Sequence, residues 1–192
     1  PLLVFYLSEP PPKGDRGKDF RTLPIEVQME YDADLDALIR SIRARQNIVR
    51  SLLEDEESEP LSFVGSANLQ QDHKAVAQNI ISILGFKLSD FRAKRTVSEA
   101  FAYLRECVEN SGIFVLLIGD LGSHHSTIPV EVFRGFAVAD HIAPFVVVND
   151  KDARSAWSFT LLHEVTHLWL GTTGISNTSD KRDIERFCNS VA

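Results

Sequence analysis

The stretch Thr160-Leu161-Leu162-His163-Glu164-Val165-Thr166-His167-Leu168-Trp169-Leu170 constrains this chain more than any other, because it sets His-Glu-x-x-His within a helical pattern. At 3.6 residues per turn, His163 and His167 leave the same helix face one turn apart and can reach a single ion. Glu164 then points to the flank of that ion, poorly placed as a ligand. From there it can accept a proton from a water the ion activates, the general-base part of a metal-assisted hydrolysis. Ala156, Thr160 and Leu170 share the histidine side, while Phe159, Leu162, Val165 and Trp169 form an apolar stripe on another. One face is therefore expected to pack and the other to line a cleft, with Gly171 as the stop.

A zinc site that performs chemistry needs three protein ligands and an open fourth position. The segment from Asp183 to Ala192 is a second helical pattern, with Ile184, Phe187, Cys188 and Val191 on its apolar side and Glu185 and Asn189 sharing another face. Glu185 is the expected third ligand, with Asp180 and Asp183 as competitors, and Asn189 is placed to hold His163 or Glu185 from behind. Cys107 and Cys188 have no paired framework, which fits a reducing cytoplasm. Neither reads as a metal ligand: Cys188, three residues after Glu185, reads as a small core residue.

These segments carry a resemblance. Thr160 to Gly171, then Gly174-Ile175-Ser176-Asn177, then Ile184 to Ala192, resemble the ImmA/IrrE family of metallo-endopeptidases, whose second motif runs Glu-x-x-x-Asn-x-Phe-Ala. Val191 stands where that motif has Phe. The likeness extends to Phe133 to Asp140 and Pro144 to Asn149, and more loosely to Asp19 to Pro24. It implies a gluzincin-like site with one zinc per chain, His163, His167 and Glu185 as ligands and Glu164 as base. It also implies a substrate, a helix-turn-helix transcriptional repressor cleaved in stress responses or mobile-element control. Members are often fused behind a repressor-type domain, which no segment here resembles. With no initiator Met and an end inside an apparent helix, the chain reads as a fragment of a longer one.

Its 192 residues, 44% hydrophobic and 24% charged, are those of a soluble globular protein with ample core. A net charge of −7 argues against direct nucleic-acid binding, since phosphate affinity comes from Lys and Arg contacts. Pro1 to Leu7 is too short to span a membrane and lacks the marks of a signal peptide, so it reads as a short strand or packing arm. Pro10 to Gly17 reads as a loop or linker.

A long amphipathic helix is expected from about Asp32 to Glu54, whose arginines are offset by acidic residues and read as a solvated face. A second helix should run from Asp72 to Leu84, closed by Gly85, with His73 at the surface. Thr96 and Glu99 form a capping box for a third, which Asn110-Ser111-Gly112 closes. Ile113 to Ile118 reads as a buried strand, and Val132 to Val138 with Phe145 to Val148 as a hairpin. The expected fold is α+β: about three strands packed on the histidine helix as a minimal zincin core (96–192), behind a mainly helical N-terminal region (1–95).

Arg134 to Asp140 is a candidate sheet edge that could take an extended substrate as an added strand. Arg134, Tyr103, His124, His125 and His141 are of the types that could contact substrate or stabilise an oxyanion, and no spacing selects among them. The expected activity is zinc-dependent proteolysis of a regulatory protein. The alternative is a sensor or protein-binding domain whose site is structural or inactive.

Overall fold

Leu35, Leu38, Ile39, Ile42, Gln46, Val49 and Leu53 recur every three or four residues, so a helix through them must bury one stripe against something flat. The computed structural model describes residues 25–123, 126–171 and 178–192, with side chains described from 33 in the first helix and from 182 in the last. Residues 1–24, His124, His125 and Gly174 to Asn177 lie outside the described residues, and with them the expectations placed there. The first helix, α1 (Ile25–Asp55), begins several residues before the expected Asp32.

The helices that follow end where local chemistry dictates. In α2 (His73–Leu84) the Asp72 carboxylate accepts the Ala75 N–H, and Gly85 closes the helix in the left-handed region. A short helix, α3 (Leu88–Arg92), which the sequence did not announce, has its Lys87 N–H held by the Tyr103 hydroxyl. Thr96 caps α4 (Val97–Asn110) by accepting the Glu99 N–H, and the Glu99 carboxylate returns to the Arg95 N–H.

Three short strands follow: β1 (Phe114–Leu117), β2 (Gly135–Val138) and β3 (Phe145–Val148). Their order is β1-β3-β2, with β3 parallel to β1 and antiparallel to β2. The hairpin strand starts at Gly135 rather than Val132, because the Val132 and Phe133 N–H groups turn back to the Pro129 carbonyl. Their side chains are buried all the same.

Period-two alternation splits the core. Val115, Val146 and Val148 face the helices α2 and α4 and the metal-motif helix α5 (Arg154–Trp169). Phe136, Val138, Phe145 and Val147 face the stripe of α1. The Phe114 and Phe145 rings stack at 4.9 Å across the parallel pair. Gln46, buried on α1, donates to the carbonyls of Val138 and Ala143 and so ties the helix to the hairpin. The last helix, α6 (Thr178–Val191), packs on α5 and α2. The class is α+β, and no helix among the described residues is long and apolar enough to cross a membrane.

Candidate metal centre

The metal-motif helix is held at both ends. The Asp152 carboxylate accepts the Ala153 N–H, and the Trp157 indole donates to the Asp152 carbonyl. At the other end, the Leu168 and Trp169 carbonyls accept the N–H groups of Gly65 and Ala67, and the Leu168 carbonyl also takes that of Gly171. Gly171, at φ +63°, lets the chain pass there: a side chain on it would come within 2.9 Å of the Gly65 Cα. Trp169 stacks on Phe63 at 4.3 Å and donates to Asn79.

This helix is buried nearly all round, not on one stripe. Thr160, Leu161 and every residue from His163 to Trp169 are buried. The reason is its central place, with the sheet on one side and α4 and α6 on others. Phe159, expected in the apolar stripe, is 40% exposed and stands beside His163, with ring centroids 6.1 Å apart.

The two imidazoles converge, with Nε2 of His163 and Nε2 of His167 3.2 Å apart. From α6, the Glu185 carboxylate closes on both, Oε2 lying 3.2 Å from His163 Nε2 and Oε1 3.5 Å from His167 Nε2. Donors about 2.0–2.1 Å from a tetrahedral ion stand roughly 3.3–3.4 Å from one another. The three separations bracket that value, so the donor set fits a small cation without rearrangement of either helix.

Cys188 is the departure from the sequence reading. It is fully buried, and its sulfur lies with the two imidazoles in a group whose ligand atoms are all within 4.8 Å of one another. His163, His167 and Cys188 can hold a metal ion. The signal lay in the sequence, since residues three apart on a helix share a face and Cys188 follows Glu185 by three. Its apolar neighbours hid it. The Glu185 carboxylate, 32% exposed, stands closer to the imidazoles than the outer limit of the sulfur's group, but it does not fall within that group with Cys188.

Glu164 is 1% exposed, against the start of β2. A Cβ at Gly135 would stand 2.7 Å from Thr160 Cγ2, 2.9 Å from the Val147 carbonyl oxygen and 3.0 Å from Glu164 Cγ. Only glycine lets β2 come this close to the helix. A glycine inside a strand pattern is the sequence sign of such an approach. Val130 to Arg134, Phe159, Thr160, His163 and Glu164 line a crevice of about 20 Å³. That is room for about one water molecule.

Among the other candidates, Arg134 lines this crevice and pairs with Asp152 at 3.4 Å. Tyr103 is engaged with Lys87, and its ring packs beside Phe86. His141 is exposed beyond the end of β2 remote from Gly135, its carbonyl accepting the Leu61 N–H. Asn189 is exposed. Asp183 is also exposed, 3.9 Å from Arg186. The side chain of Asp180 is outside the described residues. No family model, curated protein or solved structure matches the chain.

Proposed function

We propose that this protein is a zinc-dependent endopeptidase of the ImmA/IrrE kind, acting on a regulatory protein of the helix-turn-helix repressor class. The observation that carries the reading is the closure of Glu185 on both imidazoles, beside a buried Glu164. The repressor as substrate rests on the resemblance of Thr160 to Gly171 and Ile184 to Ala192 to that family. His163, His167 and Glu185 would hold the ion, and imidazole with carboxylate suits zinc. When bound, zinc supplies a Lewis acid that acidifies water and polarises a carbonyl.

The chain's own residues do the rest. Glu164 takes a proton from the attacking water on its carboxylate and passes it to the nitrogen of the leaving amine. The crevice beside it has room for about one such water. Among the described residues β2 pairs only with β3, which makes it the edge strand to which an extended peptide would add, with Arg134 and Phe159 flanking the crevice.

The test is Glu164→Gln. With zinc content equal to wild type, this variant should fail to cleave a helix-turn-helix repressor that the wild-type protein cleaves. Undiminished cleavage rejects the mechanism. Cys188 favours a second reading, a sensor or binding domain, because zinc sites filled by four protein donors are structural. That reading wins if Glu164→Gln regulates as well as wild type in cells.

A further inference from the structure

Burial alone does not make a cysteine a ligand, and the two cysteines of this chain show the difference. Cys107 is buried among Leu104, Val108 and the rest of the larger apolar cluster. Cys188 is 0% exposed, and its neighbour Phe187 lies in the larger apolar cluster. Phe187 turns toward α2, where its ring meets His73 at 4.7 Å. Cys188 falls instead on the side of α6 that carries Glu185, and its sulfur joins the group of His163 and His167.

The distances allow a bond. With metal–nitrogen bonds of about 2.0–2.1 Å and metal–sulfur bonds of about 2.3 Å, sulfur and nitrogen around a tetrahedral ion stand roughly 3.6 Å apart. From a limit of 4.8 Å, a sulfur–nitrogen separation needs to shorten by up to about 1.2 Å. Rotation about its own χ1 provides movement of that kind. Sulfur is also the softest donor present, and thiolate raises the preference of a site for zinc.

We propose that Cys188 is a metal-binding residue whose thiolate takes the fourth position beside His163, His167 and Glu185 and so keeps the peptidase latent. The inference rests on the zinc reading above and adds its regulation. Three protein donors leave a hydrolytic zinc site open, whereas four close it. Were the centre to open, Sγ would give up its place to a solvent water and would take a proton from solvent as it left. Cys188 is then a built-in inhibitor carried on the same helix as the ligand Glu185.

Cobalt(II) alone, loaded into the purified chain, is the probe. The wild-type protein should show a thiolate-to-cobalt charge-transfer band in the near ultraviolet. Cys188→Ala should lack that band, still bind one ion per chain, and release it to a chelator about tenfold more readily or beyond. In the zinc form, Cys188→Ala should cleave the repressor faster than wild type. Cys188→Ser, nearly the same size, serves in place of an alanine variant that fails to fold. A wild-type spectrum without the band overturns the assignment, even where Glu164-dependent cleavage is intact. A band accompanied by cleavage no faster in the variant overturns latency. A band with no Glu164-dependent cleavage in either protein leaves Cys188 as a ligand, but removes the peptidase and latency with it. A chain that binds no cobalt overturns this inference and the zinc reading together.

Discussion

Replacing Gly135 with alanine tests whether β2 is pressed against the histidine helix by necessity. The added methyl meets Thr160 Cγ2 at 2.7 Å, and ordinary contact begins at 3.4 Å, so strand and helix must part there by about 0.7 Å. The Val147 carbonyl at 2.9 Å is backbone in the middle of the sheet and cannot swing aside as a side chain would. Overpacking of this kind costs about 1–3 kcal/mol. At roughly 2–4 °C per kcal/mol for a chain of this size, Tm should drop by about 2–12 °C. Glu164 is the third contact and moves with the helix. Since a misplacement near 1 Å costs on the order of 100-fold, a shift of some tenths should lower kcat for repressor cleavage by about tenfold. Zinc content should stay at the wild-type level, because the three atoms nearest to the added methyl belong to Thr160, Val147 and Glu164 and not to a metal donor. Thermal unfolding, metal analysis and cleavage kinetics on one preparation give all three numbers. An alanine variant with wild-type Tm and wild-type kcat refutes the close-approach argument.

Two further substitutions probe what positions the site. Asn149 is fully buried, donates to the carbonyls of Ile128 and Phe133 and accepts the Lys151 N–H, so Asn149→Ala should destabilise by about 1–3 kcal/mol in denaturant titration. Because Phe133 and Arg134 wall the crevice, its kcat should also fall, and an unchanged midpoint would contradict this anchoring. Gln46→Leu strands the carbonyls of Val138 and Ala143 beneath α1, and should cost about 1–3 kcal/mol while leaving zinc content unchanged. A variant as stable as wild type would mean that these carbonyls are satisfied in another way.

What could be read from the sequence was local. Asp72 and Gly85 bound α2, Thr96 caps α4, and the spacing of His163 and His167 puts two donors on one face, because each depends on residues within a turn or two. What escaped depends on neighbours distant in the chain. β1 pairs in parallel with β3, and not with the strand next in sequence, a pairing between segments about thirty residues apart that no local pattern records. The histidine helix looked one-sided because its own pattern cannot record that α4 and α6 cover it. Cys188 looked like core because its neighbours are apolar, and Gly135 looked incidental until the helix lying against it was known.

Metal analysis of the purified chain and its His163→Ala variant tests the central claim most directly. The account predicts one zinc per wild-type chain and well under a full equivalent in the variant, because His163 lies within 3.2 Å of both His167 and Glu185. A wild-type protein without bound metal, or a variant that keeps a full equivalent, would contradict it.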